Sequence, residues 1–290
     1  MQNLWRIAVA IFFVSTAFAE ELKIVTWNLE WFPSGSSRGI ASPDIEAGRV
    51  RAVSEVLKGL DADILVLQEV RDAKACEALA EALKPLVYHV AVCSQFKEGF
   101  GGVMGLQQVA ILSKYTAVAA WFENWKSFGA ADPPRGFAFA AFHIGTNDIG
   151  VYSVHLKSNM AMKDPERQRQ LNILKRELAA EQLLIHIDGN ASLIPKEHGI
   201  VVVAGDFNTT LDQVVFASEK TLSIFQKNDF ASGFESLPLK QRVTIPGKNK
   251  YPDATFDYVF VKPASIAGTP AITIGKASDH YPVLRKLQLP

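Results

Sequence analysis

Apolar and polar positions along the chain switch repeatedly between the two periods that distinguish strands from helices. Residues 22–28 alternate, with Leu22, Ile24 and Thr26 on one side and Lys23, Val25 and Trp27 on the other, and predict a strand. Residues 29–46 are rich in Gly, Ser and Pro and predict a loop. Val50, Val53, Val56, Leu57 and Leu60 then recur at helical spacing, which predicts a helix over residues 45–60 that stops near Gly59. A short apolar run predicts a strand at 63–68, and 73–86 reads as a second helix. The pattern next becomes short β-branched or aromatic runs bounded by turn residues, at 88–93, 108–112, 118–122, 137–144 and 149–155. A long helix is predicted over 165–187, opened by Asp164 as N-cap with Pro165 in its first turn. The wholly apolar run 200–204 predicts a strand in the middle of a covered sheet, and further strands are expected at 256–261 and 283–289. No repeat, low-complexity tract or Pro/Gly/Ser linker divides the chain. Mixed strands and helices of this kind predict one α/β domain, two packed sheets with helices outside.

The amino terminus reads as an address. Arg6 lies ahead of an uncharged, mostly apolar run at 7–18, and Ala17-Phe18-Ala19 offers a small-x-small cleavage site before Glu20. The expectation is a signal peptide at 1–19 and a folded domain at 20–290, exported to the periplasm or beyond. A membrane anchor is the competing reading, but that run is shorter than the roughly 20 apolar residues of a spanning helix. Export changes the reading of Cys76 and Cys93, because an oxidising compartment permits a disulfide between them. Two buried thiols are the alternative, and no Cys/His cluster predicts zinc. Thirty basic and thirty acidic residues give a formal net charge of zero, so any binding of nucleic acid needs a local basic surface. A monomer is expected.

Polar residues recur where the predicted strands end. Asn28 and Glu30 follow the first, Gln68 and Glu69 close the second, and His155 and Lys157 follow the run ending at Val154. Asp206 and Asn208 follow Gly205, Asp257 lies in Phe256-Asp257-Tyr258, and Ser278-Asp279-His280 precedes the last strand. If those ends face one way, carboxylates, amides and imidazoles meet in one cleft, with hard oxygen donors that favour Mg2+ or Mn2+ over zinc. Such a set would orient water and offset charge on a phosphoryl group. Each residue alone also reads as a turn, a cap or a satisfied core histidine; the combination carries the inference.

Six ordered motifs give that combination a family resemblance: Thr26-Trp27-Asn28, Leu67-Gln68-Glu69-Val70, Ser153-Val154-His155-Leu156, Gly205-Asp206-Phe207-Asn208, Phe256-Asp257-Tyr258 and Ser278-Asp279-His280-Tyr281-Pro282-Val283. They resemble the motif series of the endonuclease/exonuclease/phosphatase superfamily, which contains pancreatic deoxyribonuclease, bacterial sphingomyelinases and inositol phosphatases. The resemblance implies a four-layered α/β/β/α sandwich of two mixed, mainly antiparallel sheets and a divalent-metal-dependent phosphodiesterase. It makes Glu69 the principal metal ligand, with Asn28 and Asp279 beside it and Glu30 as a further metal-side group. It makes Asp206 the residue that positions and deprotonates water, Asn208 its neighbour, His280 a phosphate contact held by Asp257, and His155 a phosphate-binding group or acid. Arg135 matches a position that faces phosphate, Arg71 falls where the deoxyribonuclease contacts DNA, and Lys157 is a further substrate-side cation.

The extended inositol phosphatase motifs are missing here. The loop before Val109 offers Gly105, Leu106, Gln107 and Gln108 where the deoxyribonuclease places a glutamate beside its first catalytic histidine, so His155 is expected to lack a carboxylate partner. Trp121, Phe122, Trp125 and Phe128 form an aromatic stretch that reads either as sheet-edge packing or as a seat on lipid or bases. A nucleic-acid substrate is the leading expectation. A lipid headgroup or small phosphate ester, and then a non-catalytic binding protein on the same fold, are the alternatives.

Overall fold

The computed structural model describes residues 21–98, 102–127, 129, 131–159, 164–190, 192–195, 199–249, 251–266 and 268–290. The expected signal segment at 1–19 and Phe128 lie outside the described residues. The elements run β1 (Glu21–Phe32), α1 (Pro43–Leu60), β2 (Ile64–Val70), α2 (Ala73–Ala82), β3 (His89–Cys93), β4 (Lys97–Glu98), β5 (Val103–Met104), β6 (Gln108–Ser113), β7 (Ala119–Asn124), β8 (Gly136–Ile144) and β9 (Asn147–His155). They continue with α3 (Pro165–Gly189), β10 (Gly199–Asp206), α4 (Thr221–Gln226), β11 (Asp257–Lys262), β12 (Ala271–Ile272) and β13 (Val283–Gln288).

Two large sheets result, ordered β12-β13-β1-β2-β6-β3 and β11-β10-β9-β8-β7. Each contains one parallel pair, β1 with β2 and β9 with β10, and every other pairing within them is antiparallel. Parallel neighbours need a crossover, and α1 and α3 supply one to each pair. The period-2 pattern of β1 decides the layers. Leu22 and Ile24 enter the core shared with the second sheet, whereas Val25 and Trp27 pack against Val53 and Leu57 of α1 and Cys76 and Leu79 of α2. On the far side, Ala179, Ala180 and Leu183 of α3 and Leu222 and Phe225 of α4 join the core of the second sheet. Four layers follow, as the resemblance implies. Each fully buried Val, Leu or Ile adds about 1.5–3 kcal/mol over an exposed one, so the alternation fixes the register.

The helix ends follow their caps. Ser42 accepts from Ile45 N at 3.4 Å, Asp72 Oδ1 from Ala75 N at 2.8 Å, and Asp164 Oδ1 from Arg167 N at 3.3 Å. The second helix stops at Ala82, short of the expected 86, because Pro85 has no N–H to continue the ladder. The first strand overruns its predicted end and reaches Phe32, inside the expected loop, with its pairing to β2 shifting between Asn28 and Phe32. The β4–β5 hairpin, α4 and β12 are too short for periodicity to reveal.

The expected disulfide is not formed in the structure. Cys76 and Cys93 are both free thiols, Cys76 buried on α2 and Cys93 at the end of β3. They are nonetheless neighbours: a hydrogen bond with Cys93, and then burial, raise the Cys76 thiol well above its usual range.

Gly205 interrupts the apolar run of β10 one residue before Asp206, at φ 150°. A Cβ there would lie 1.9 Å from the Val154 carbonyl oxygen of the paired strand. Gly205→Ala should therefore destabilise the fold by about 3 kcal/mol or more, as overpacking against a paired backbone does. A thermal melt that matched the parent would show that β9 and β10 do not approach this closely.

Candidate active site

The C-terminal ends of both parallel pairs meet at the same edge of the sandwich, the position where open α/β sheets expose side chains to a cleft. Asn28 ends the regular part of β1, Glu69 lies near the end of β2, His155 ends β9 and Asp206 ends β10. The pairing of β2 with β6 shifts between Gln68 and Val70, so Glu69 sits on a bulge with φ 57°. A bulge of this kind re-aims one side chain without ending the strand. Glu30, Trp31, Arg135 and Asn208 also have positive φ, between 49° and 67°. Such conformations cost about 1–3 kcal/mol each for residues other than glycine, and here they coincide with the cleft.

Asn28 joins the two sheets. Its Nδ2 donates to Asp206 Oδ2 at 3.0 Å and to Glu69 Oε1 at 3.3 Å, and its Oδ1 accepts from Glu30 N at 3.1 Å. Glu69 Oε2 accepts from Trp31 N at 3.0 Å. His155 Nε2 lies 3.7 Å from Glu69 Oε1 and 3.6 Å from Asp206 Oδ2. His280 Nδ1 bonds Asp257 Oδ2 at 2.8 Å, and its Nε2 is 3.9 Å from Asp206 Oδ2. Asp206 Oδ1 accepts from Asn208 N at 2.8 Å, and Asn208 Nδ2 donates to Leu156 O at 3.2 Å. The last loop is tied to β1: Ser278 Oγ donates to Asn28 O at 2.7 Å and Trp27 Nε1 to His280 O at 2.9 Å.

Burial and neighbouring charge give these groups different protonation states. Burial lifts the Asp206 carboxyl to about 7, with Asp257 adding to it and His280 and the Asn28 amide opposing. Burial works against charge on His280, but Asp257, with Asp206 and Asp279, lifts it to about 10, so it is an imidazolium at neutral pH. Burial, then the charge of Arg135, holds His155 well below the usual histidine range, and it is neutral. Its buried Nδ1 has no hydrogen-bond partner among the described residues. The loop before Val109 supplies no carboxylate to that nitrogen: Gln107 accepts from Arg135 Nη1 at 2.8 Å, and Gln108 bonds Phe96 and Gly105 in the core. A neutral imidazole suits hydrogen bonding better than donation of a stored proton.

Three carboxylates gather on the β1–β2 side. Burial, Asp279 and Glu69 raise the Glu30 carboxyl, against the pull of Arg49. Mutual repulsion among oxygen donors is what a divalent cation relieves, so Glu69, Asn28, Asp279 and Glu30 are the oxygen-bearing groups that would hold one, as the resemblance implies. Among the described residues, the one group of three His, Cys, Asp or Glu side chains whose ligand atoms all lie within 4.8 Å of one another is Asp206, Asp257 and His280. That set is the poorer site for a hard cation, because His280 is charged and its Nδ1 is already engaged by Asp257.

The remaining expected residues separate. Arg135, at φ 67°, donates Nη2 to the carbonyls of His155 and Leu156 at 3.0 and 3.3 Å, beside the cleft. Lys157 Nζ bonds Ser158 Oγ at 3.3 Å, and burial followed by Arg135 lowers its pKa. Arg71 is held by Glu46 at 2.5 Å and Asp72 at 3.1 Å, the surface ion pair that competes with a DNA-contact role. Sequence reasoning gave no role to Gln68, whose Nε2 bonds Thr26 and Ser153 at 3.2 and 3.3 Å and spans the inter-sheet core under the site. It also missed the buried Arg176–Glu219 pair, at 2.6 Å, although Arg176 falls in the stripe of Ile173, Ala180 and Leu183.

A family model for the endonuclease/exonuclease/phosphatase family matches residues 25–280. The chain belongs to that family. No curated protein sequence matches it. Among solved structures it is similar to an endonuclease/exonuclease/phosphatase from Beutenbergia cavernae DSM 12333, with TM-score 0.64, 17% identity and coverage of 93% of this chain and 72% of that one. It is also similar to SmcL (TM-score 0.64, 18% identity, 92% and 99% covered) and to truncated Caenorhabditis elegans TDP2 (0.58, 16%, 92% and 97%). At these identities the likeness is one of fold. Membership makes this endonuclease/exonuclease/phosphatase protein a metal-dependent phosphoric ester hydrolase, and its site holds the groups such chemistry needs.

In that reaction the bound cation supplies charge to polarise a phosphoryl oxygen. Glu69, Asn28, Asp279 and Glu30 would hold it. Asp206, poised near neutrality and hydrogen-bonded at both oxygens, can accept a proton from water. The His280 imidazolium, oriented by Asp257, offsets charge on the phosphate. Asp206→Asn keeps the volume and removes the proton acceptor, so turnover should fall by about 10²–10⁴-fold with an unchanged far-UV circular dichroism spectrum. Near-parental hydrolysis by the folded variant would remove Asp206 from the base role.

Proposed function

We propose that the protein is an exported, Mg2+-dependent phosphodiesterase that hydrolyses nucleic-acid backbones, with Asp206 activating water. The observation that carries the chemistry is Asn28, whose amide bonds both the metal-side Glu69 and the proton acceptor Asp206. Water held between those carboxylates would meet both a cation on Glu69 and its base. For the substrate, Arg135 and Lys157 provide cationic groups next to the cleft, and Arg71 lies two residues beyond Glu69. The two tryptophans of the aromatic stretch pack on the second sheet: Trp125 is buried against Phe137, and Trp121 packs on Phe139 and bonds Glu123 at 3.0 Å.

One observation favours a lipid headgroup instead. Leu211, Val214 and Val215, on the loop that follows Asn208, are all exposed, Val214 by 91%. An apolar run at a cleft rim suits a lipid surface. Among the described residues, no helix is long and apolar enough to cross a membrane.

Plasmid DNA, phosphatidylcholine-type vesicles and a small chromogenic phosphodiester, assayed side by side with Mg2+, should give the largest turnover on DNA. Vesicle hydrolysis exceeding DNA cleavage would reverse the assignment. Removal of metal by excess chelator should abolish all three activities, and addition of Mg2+ should restore them. Arg71→Ala, if the guanidinium leaves Glu46 and Asp72 for a backbone phosphate, should lower the salt slope of DNA cleavage by about one unit. An unchanged slope takes Arg71 out of the footprint. Protein recovered from outside the cytoplasm should begin at Glu20, and an intact Met1 on terminal sequencing would refute export by cleavage.

A further inference from the structure

The segment after Asn28 bends through two successive left-handed residues, Glu30 and Trp31. Its N–H groups face the metal side, where Glu30 N holds Asn28 Oδ1 and Trp31 N holds Glu69 Oε2. Its carbonyls face α1. There, Arg49 Nη2 donates to Leu29 O and to Glu30 O, both at 2.9 Å, and Nη1 lies 4.0 Å from Glu30 Oε2. The guanidinium is seated against Gly35, where a Cβ would come within 2.9 Å of Nη1. The chain thus wraps around one side chain. The other crossover helix carries a partial counterpart: Arg176 of α3 donates Nη1 to Lys157 O at 2.7 Å, across 19 residues as from Arg49 to Glu30, while its Nε and Nη2 hold Glu219. Recurrence at the equivalent point of the second parallel pair argues for a built clamp over an incidental surface contact.

We propose that Arg49 is a positioning residue for the divalent cation: by pinning the Leu29 and Glu30 carbonyls it fixes the two N–H groups that aim Asn28 and Glu69. The inference rests on the assignment of Asn28 and Glu69 to the metal side. Groups behind a metal ligand typically change metal affinity by about 10–100-fold when removed. The sign separates this role from simple electrostatics. Loss of a nearby positive charge alone tightens cation binding, whereas loss of the clamp loosens it.

The test is Mn2+ binding by the full chain, read from the paramagnetic resonance signal of free Mn2+, for the parent, Arg49→Met, Arg49→Lys and the exposed same-helix control Arg51→Met. Arg49→Met should weaken Mn2+ binding by about 10-fold or more, with the cation needed for half-maximal hydrolysis rising more than kcat at saturating cation falls. Arg49→Lys keeps the charge but not the two-carbonyl grip, so it should also bind Mn2+ more weakly than the parent, while Arg51→Met should match the parent. Unchanged or tighter Mn2+ binding by folded Arg49→Met overturns the proposal. If that variant does not fold, parental Mn2+ affinity in Arg49→Lys overturns it. A parent that binds no Mn2+ refutes the metal-side assignment itself, a different failure from one confined to Arg49.

Discussion

One carboxamide ties the metal side of the cleft to its proton acceptor across the two sheets. Asn28 belongs to the first sheet, yet its Nδ2 reaches Asp206 of the second while also bonding Glu69 of its own. Aspartate in that place would set a third carboxylate against two others, and alanine would leave both carboxylates without their shared donor. The position of the proton acceptor relative to the metal side therefore depends on how the sheets stack. That stacking is held below the site by Gln68, whose amide touches Thr26 and Ser153 from the two sheets, and around it by an apolar core. A buried amide with every group satisfied specifies one arrangement where Leu and Val alone would tolerate several.

Local strain is the second condition. Glu30, Trp31, Glu69, Arg135 and Asn208 all take left-handed backbone conformations that their side chains disfavour. Each is overdetermined by bonds: Arg49 on the carbonyls of Leu29 and Glu30, Trp31 N on Glu69, Arg135 on the carbonyls beyond β9, and Asn208 N on Asp206. Glycine does related work beside them. A Cβ on Gly136 would lie 1.8 Å from Glu123 O, so the turn that presents Arg135 closes only without one. The rigid strands supply the energy that holds these bends, and the bends supply the aim.

How much of this was legible in the sequence follows from length scale. Strands and helices with several repeats of their period were placed to within a few residues, because burial of whole faces writes itself into the pattern. Strand-end polar residues were legible as a set, and their convergence follows from the parallel pairs. What stayed hidden depends on single contacts. Arg49 and Arg176 look like solvated helix charges until their carbonyl partners are seen, although the apolar neighbours of Arg176 at helical spacing were a usable sign. The cysteines were legible as a pair but not as a bond: they are neighbours, as expected, and the structure has both as thiols.

The charge distribution across the cleft explains why chemistry and substrate choice separate. Glu30, Glu69 and Asp279 make the β1–β2 side acidic, and a cation there turns that side attractive to phosphate. The His280 imidazolium, held by Asp257 of β11, and Arg135, just before β8, face the cleft from the side of the second sheet, so a phosphoryl group would be drawn from both sides with a cation bound. Both halves stand on strand ends and would act alike on any phosphodiester. Discrimination would then come from what surrounds them, and on the reading proposed above that is the Arg71 corner, balanced by Glu46 and Asp72, and the segment bearing Leu211, Val214 and Val215. Those parts are loops and surface pairs, free to vary without moving Asn28 or Asp206. A nucleic-acid enzyme and a lipid enzyme can therefore share this centre unchanged and differ only at its rim.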